Sequence, residues 1–268
     1  MGITHPARED TLSHVPVRRI GFDDIRWALR QGWEDFLGLR GDLLFVGVLY
    51  PFVGFIAVLV ALNQSLLPLL FPLAAGISLL GPLVAAGFYE MARRRELGED
   101  IRWRHFFDVF SGPAAGPLLA LGLVVAGLFV FWLAAAMAIY QMFFVDPNLG
   151  FRTPGPAGAF IHALFTTSHG WGLIIVGNLV GLAFAIVTLM ISVVSFPMVV
   201  DQPDAGAATA IETSIRAFGR NPASMLGWGL IVAALLVIGS IPLFIGLAVV
   251  LPVLGYATWH LYTKTVVR

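Results

Sequence analysis

Cysteine is absent from the 268 residues, and charged side chains are scarce. Without cysteine, the chain has no disulfides, thiolate metal sites or cysteine nucleophiles. Only 12% of the residues are charged, about half the share usual in a soluble domain, and 58% are hydrophobic. Sixteen basic residues balance sixteen acidic ones, so no excess positive charge is available for nucleic acid. This composition indicates a membrane protein.

Long uncharged apolar runs recur along the chain. Roughly 20 helical residues cross the hydrocarbon core of a bilayer, so each run predicts a membrane span. The predicted spans are residues 43–61, 66–88, 117–140, 171–200, 223–238 and 243–263. The uncharged stretch 223–263 is too long for one span, and we place its turn at residues 239–242 (GSIP). The predicted fold is all-α and polytopic, with six transmembrane helices.

The basic residues predict the orientation of these spans. With six spans, every Lys and Arg except Arg152 falls in the N-terminal segment, the second and fourth loops or the C-terminus. The positive-inside rule then places both termini in the cytoplasm. Arginine outnumbers lysine 15 to 1, which suggests a GC-rich bacterial coding sequence, and we expect the location to be the bacterial inner membrane. We expect residues 1–19 to be a disordered cytoplasmic tail and residues 20–268 to form a single membrane domain.

Amphipathic segments lie between the cytoplasmic loops and the spans. A helical stripe in the first segment comprises Ile25, Ala28, Leu29, Gly32, Trp33 and Phe36. Residues 201–222 have the same character, and both segments carry too much charge to span. We place them along the cytoplasmic interface, with Trp27, Trp33 and Trp103 as headgroup anchors.

A threefold internal repeat organises these elements. Residues 24–27 (DIRW) recur as residues 100–103, and the first unit matches the third when it is shifted by 182 residues. One proline lies near the cytoplasmic end of the second span in each unit: Pro82, Pro197 and Pro252. Proline lacks an N–H and clashes with the preceding turn, so each should kink its helix. The predicted units, 22–90, 99–201 and 205–263, are three hairpins, each preceded by an interfacial helix.

The repeat residues also carry a family resemblance. The matching stretches are residues 24–33 (DIRWALRQGW), 87–98 (GFYEMARRRELG), 196–201 (FPMVVD) and 213–228. On these stretches the chain resembles a large bacterial family of predicted integral membrane proteins classed as a domain of unknown function. The resemblance covers about residues 20–264 and implies a multi-span inner-membrane protein with no established activity. Some members are labelled as cytochrome oxidase subunits.

Three ionisable residues end the second, fourth and sixth spans: Glu90, Asp201 and His260. They could converge on a cytoplasmic vestibule for a ligand or a proton path. The plainer interpretation, which we favour, is that helices end in polar residues where water begins. Of the six histidines only His260 lies within a span, so the chain cannot ligate haem and copper as an oxidase core does. We predict no metal site and no cofactor.

Two further features have structural interpretations. Gly177 and Gly181 form a Gly-x-x-x-Gly pair with Asn178 between them, which suggests helix packing within the fourth span. The arginines at 93–95 could attract anionic headgroups, but the acids that follow weaken this effect, and a topology signal is the favoured role.

The predicted function is therefore non-enzymatic. No catalytic constellation is recognisable in the sequence, whereas the interfacial helices add surface that spanning does not require. We expect an accessory inner-membrane protein that associates with lipids, with other membrane proteins or with further copies of itself. The alternative is a passive transporter or channel for a small neutral solute, which predicts a broad central cavity. A membrane enzyme would need Glu90, Asp201 or His260 within hydrogen-bonding reach of one another.

Overall fold

The computed structural model describes residues 15–38, 81–144, 157–242 and 246–268. The α-helices of this part are α1 (Phe22–Gly38), α2 (Gly81–Glu96), α3 (His105–Asp108), α4 (Ala115–Phe144), α5 (Ala157–Thr166), α6 (Ser168–Ser192), α7 (Ser195–Asp201), α8 (Gly206–Arg220), α9 (Pro222–Ser240) and α10 (Leu247–Thr265). A short 3-10 helix, Pro203–Ala205, joins α7 to α8. Within the described ranges the β-type pairing is one isolated antiparallel bridge, Val17 to Val266. The all-α prediction is confirmed for this part of the chain.

Three stretches of described helix are long and apolar enough to cross a membrane: Ala115–Phe144, Ser168–Asp201 and Pro222–Ser240. They begin and end within a few residues of the predicted third, fourth and fifth spans. Only 22–33% of their most apolar windows is buried inside the protein. An uncovered apolar surface of this extent needs lipid around it, since soluble monomers rarely expose large continuous apolar patches.

The other predicted spans have different outcomes. The first, 43–61, and residues 66–80 of the second lie outside the described residues. The sixth, 243–263, corresponds to α10, which is less apolar because it carries His260 and Lys264 near its C-terminus. The preceding helix, α9, ends at Ser240, inside the turn that we placed at residues 239–242.

Helix α10 is largely buried and packs against α1, α2 and α9. Tyr256, Trp259 and Tyr262 are among the largest fully buried side chains of the molecule. Pro252 lies inside this helix, where it removes one backbone donor. These side chains and the largely buried His260 therefore face protein, which explains how a less apolar helix fits a membrane domain.

The fourth span is interrupted near Pro197. Helix α6 ends at Ser192, two turn residues follow, and α7 begins at Ser195. The proline ring would clash with the carbonyl four residues earlier, that of Val193, which places the break there. The Ser214 hydroxyl from α8 accepts from Val194 N–H (3.2 Å) and donates to the Met190 carbonyl (2.8 Å). A neighbouring helix thus satisfies backbone groups at the break.

Helix α1 buries most of its predicted apolar stripe. Ile25, Ala28, Gly32 and Phe36 are buried, and α1 packs along α10. Trp33 differs, because it is 46% exposed. The buried face also contains a charged residue, Asp35, which the apolar stripe did not include.

The segment before α1 is held in place. The Arg18 N–H donates to the Thr265 carbonyl (2.7 Å), and the Val267 N–H donates to Pro16 (3.1 Å). Asn221, between α8 and α9, accepts from Ile20 N–H (2.9 Å) and donates to the Arg18 carbonyl (3.0 Å). Residues 15–19 therefore differ from the disordered tail expected over 1–19, because their backbone groups are paired. Residues 1–14 lie outside the described residues.

The helices pack in a recurring pattern. Helices α2, α7 and α10, which contain the three predicted prolines, contact one another. Each is also covered by an amphipathic segment: α3 packs on α2, α8 on α7, and α1 on α10. This arrangement brings the ionisable residues of the three helix ends to one side of the bundle.

Candidate functional site at the polar helix ends

Glu90 is a buried carboxylate near the C-terminal end of α2, and two arginines of the same helix bind it. Arg93 lies 2.8 Å from it and Arg94 lies 2.6 Å from it, at the i+3 and i+4 positions that face it on a helix. The hydrogen bond to Glu90 raises the pKa of the Arg93 guanidinium, against the opposing effect of burial. Arg94 also reaches Asp108 of α3 at 3.2 Å. The negative charge of the Glu90 carboxylate is thus balanced by arginines of its own helix.

His260 of α10 forms a pair with a residue that the sequence analysis did not single out. Its Nε2 lies 2.7 Å from Asp35 Oδ2, and both side chains are largely buried. Arg95 of α2 binds the other oxygen of Asp35 at 3.1 Å and the Asp35 carbonyl at 3.2 Å. Asp35 therefore ties α1 to α2 and α10 at once.

Asp201, the last residue of α7, binds α10 and the C-terminus. The Tyr262 hydroxyl donates to it at 2.8 Å, and Arg268 lies 3.6 Å from its second oxygen. Arg268 also forms a close ion pair with Glu96 of α2. Burial raises the pKa of Glu96, but hydrogen bonds from Arg268 and from the Trp259 indole outweigh it and lower the pKa overall. The C-terminal arginine thus joins two helix ends.

The three predicted vestibule residues lie at the ends of mutually packed helices, but each has its own partners. Glu90 binds arginines of α2, Asp201 binds Tyr262 and Arg268, and His260 binds Asp35. Every carboxylate faces a cation or a hydroxyl donor. Such an arrangement fixes helices to one another.

Sequence reasoning missed Asp35, Arg95, Glu96 and Arg268 as members of this cluster. Their partners lie up to 225 residues away along the chain, so local spacing could not identify them. One signal was present: Asp35 falls next to Phe36 on the buried side of an amphipathic helix. A charge in that position needs a partner, since an unpaired buried charge is costly.

The predicted packing face on the fourth span is only partly present. Gly181 approaches Trp132 of α4, where an added Cβ would lie 3.0 Å from the indole. Among the described residues, no atom lies within 4 Å of such a Cβ at Gly177. Asn178 is exposed and donates to the carbonyl of Ile174 in its own helix (2.7 Å). The Gly-x-x-x-Gly pair therefore does not form one contact face within the described fold, because its two glycines meet different surroundings.

The three predicted tryptophan anchors have different environments. Trp27 contacts the edge of His260, with 5.6 Å between ring centroids, and lies under the Lys264 ammonium at 4.3 Å. Trp33 is exposed on α1, and Trp103, just before α3, is the most exposed of the three at 61%. Trp33 and Trp103 therefore have much of their surface available for a membrane interface, whereas part of the Trp27 ring is engaged within the protein.

The predicted kink prolines lie at different points of their helices. Pro82 is the second residue of α2 as described, Pro197 is the third residue of α7, and Pro252 lies within α10. The break before α7 lies beside Pro197, whereas α10 continues through Pro252.

Comparison with known proteins gives a family match over part of the chain. No curated protein and no solved structure matches it. Residues 70–201 match the family model of DUF2189, a predicted integral membrane protein. They contain most of the predicted second span and the whole of the third and fourth, and over these residues the match confirms the resemblance recognised in the sequence.

Proposed function

We propose that the chain is a non-enzymatic bacterial inner-membrane protein with six spans and cytoplasmic termini, and that its interfacial helices associate with membrane lipids or other membrane proteins. One observation carries this proposal. The amphipathic segments are packed onto α2, α7 and α10, while several of their large apolar side chains stay exposed. A scaffold that needed only to span would not need this second layer.

The packing pattern supports three hairpin repeats. The segment that opens the second unit, α3, covers α2, the proline-containing helix that closes the first unit. In the same way α8, which opens the third unit, covers α7, and α1, which opens the first unit, covers α10 at the end of the third. The order is cyclic, as expected for a pseudo-threefold array. The predicted units 22–90, 99–201 and 205–263 each contribute one covered helix and one covering segment.

The ion pairs support the orientation. Arg93, Arg94 and Arg95 lie at the end of α2, and Arg268 lies beside the ends of α2 and α7. A cytoplasmic location for this side follows from the positive-inside rule.

The transporter alternative is not favoured. It predicted a broad cavity among the kinked helices. Phe88 of α2 instead contacts Tyr256 of α10 (5.5 Å between centroids) and Phe106 (5.0 Å), and the Tyr256 hydroxyl lies 3.9 Å from the sulfur of Met91. These side chains are buried and occupy the space where α2 and α10 meet.

Native purification tests the proposal. The full chain would be extracted in a mild detergent or in native nanodiscs, and the lipids and proteins that remain bound would be identified. We expect specific lipids or an integral membrane partner at stoichiometric levels. Recovery of neither, or reporter fusions that place the termini outside the cytoplasm, would contradict the proposal.

A further inference from the structure

The segment around α3 exposes aromatic and basic side chains together. Trp103, Phe107 and Phe110 follow one another at i, i+4 and i+7 and are 61%, 43% and 41% exposed. The rings of Trp103 and Phe107 meet edge to face, with 6.5 Å between their centroids. Arg102 and Arg104 are also exposed. These five residues are called the α3 patch below.

The α3 patch rests on a firm support. Behind it, Phe106 is buried and contacts Phe88 of α2. Phe106 also covers Gly87, where an added Cβ would lie 2.4 Å from the ring. The close fit fixes α3 to α2, so the exposed aromatic side chains have a defined position relative to the membrane domain.

The neighbouring span places the patch at the membrane surface. Helix α4 begins at Ala115, five residues after Phe110. Five residues reach no more than about 18 Å. Leu119 and Leu123, in the first turns of α4, are 64% and 65% exposed and form the start of its lipid-facing side. The α3 patch is thus separated by only a few residues from an apolar, exposed helix surface that a membrane location would place in lipid.

We propose that the α3 patch inserts into the headgroup layer of the bilayer, with its aromatic rings at the acyl boundary and its arginines on lipid phosphates. This inference rests on the proposed function and names the element that contacts lipid. Tryptophan and arginine favour this depth, since an amphipathic ring and a long basic side chain each have one apolar and one polar part.

The structure assigns this role to Arg102 and Arg104 rather than to the arginines at 93–95. Arg93 and Arg94 bind the buried Glu90, Arg94 also binds Asp108, and Arg95 binds Asp35, so each of the three already faces a carboxylate. Arg102 has an ion pair with Asp100 at 2.8 Å, with more than half of both side chains exposed. Such exposed pairs contribute about 0–1 kcal/mol, so a phosphate can replace the carboxylate at low cost.

The natural absence of cysteine makes a direct depth measurement possible. A single cysteine would be introduced by Phe107→Cys, labelled with a nitroxide and reconstituted in nanodiscs of phosphatidylethanolamine and phosphatidylglycerol. The matched control is Asp100→Cys, in the same segment and exposed. We expect the ratio of oxygen to nickel-chelate accessibility to be severalfold higher at position 107 than at position 100.

Three results would overturn the inference. Equal, water-like ratios at both positions would place the patch outside the membrane. A label at 107 that is shielded from both reagents in detergent as well as in nanodiscs would indicate a protein partner. When Arg102→Gln and Arg104→Gln are added, the accessibility of the label at position 107 to the nickel chelate should rise. An unchanged value would exclude a role for the two arginines in holding the patch in the headgroup layer. Lipids or proteins could still co-purify in each case, so failure here differs from failure of the proposed function.

Discussion

Replacement of Gly32 by alanine tests the close contact between α1 and α10. A Cβ added at Gly32 would lie 2.6 Å from the Ala257 nitrogen and 2.7 Å from the Val253 carbonyl oxygen. Ordinary contacts begin at 3.4 Å, so the backbones would have to separate by about 0.8 Å. The obstructing atoms belong to the backbone of a buried helix, and no side-chain rotation can relieve the clash.

The expected change is a net loss of stability. Inserting a methyl group into a tightly packed contact costs about 1–3 kcal/mol. The intrinsic helix preference of alanine over glycine acts in the opposite direction, by about 1 kcal/mol. The difference is a destabilisation of up to roughly 2 kcal/mol, and we expect the upper part of that range because the obstructing atoms are backbone atoms. The buried contacts of Ile25 and Phe36 would weaken as well, because both side chains lie on the same side of α1.

Unfolding of the detergent-solubilised protein by added SDS, followed by tryptophan fluorescence, measures the effect. The control is Gly219→Ala in the amphipathic helix α8, where the described residues leave the Cβ position open. The control should unfold at the wild-type midpoint or above it, whereas Gly32→Ala should unfold earlier. If Gly32→Ala matched or exceeded the wild type while the control behaved as expected, the reasoning about α1 and α10 would be refuted.

Three other substitutions have expected outcomes. Asn221→Ala removes the hydrogen bonds to residues 18–20, and we expect a loss of about 1–3 kcal/mol in unfolding free energy and faster amide exchange in that segment. Burial raises the pKa of Glu96, but hydrogen bonds such as that from Arg268 lower it overall. The Glu96 carboxylate therefore stabilises the fold at neutral pH, and this stabilisation is lost as the pH falls below the ordinary pKa of 4.5. Glu96→Gln should therefore lower the unfolding midpoint at neutral pH and reduce its fall in acid. Asn178→Leu should leave the midpoint in lipid nanodiscs unchanged or higher, since the exposed amide bonds within its own helix, and a clear decrease would show that it has an external partner.

The sequence predicted the elements that depend on local pattern. Apolar runs of spanning length identified α4, the α6–α7 pair and α9, because the bilayer fixes the length of a span. The stripe with a period of 3.6 residues identified the buried side of α1. Both predictions use near neighbours in the chain, and both agree with the described structure.

The polar cluster could not be predicted in the same way. Glu90, Asp201 and His260 were identified as helix-end residues, but their actual partners come from other helices or, for Glu90, from the next turn. The pairing of His260 with Asp35 depends on how α1 packs across α10, which periodicity does not determine. Trp33 was placed on the buried stripe, yet it lies at the edge of that stripe and stays exposed. A ring at the edge of a narrow stripe need not face the neighbouring helix.

The prolines offer a physical reason for the order in which the segments pack. A proline removes one backbone donor and disturbs the preceding turn of its helix. The helix then has backbone groups that need partners from elsewhere, and a neighbouring helix can approach closely at that point. Near Pro197, the hydroxyl of Ser214 binds the Val194 N–H and the Met190 carbonyl at the helix break. Next to Pro252, Gly32 of α1 lies against the Val253 carbonyl. The amphipathic helix α8 thus docks where the helix before it is interrupted. If this is the reason, Pro197→Ala should restore regular helix near residue 193 and weaken the contact with α8, and hydrogen exchange at Val194 would report the change.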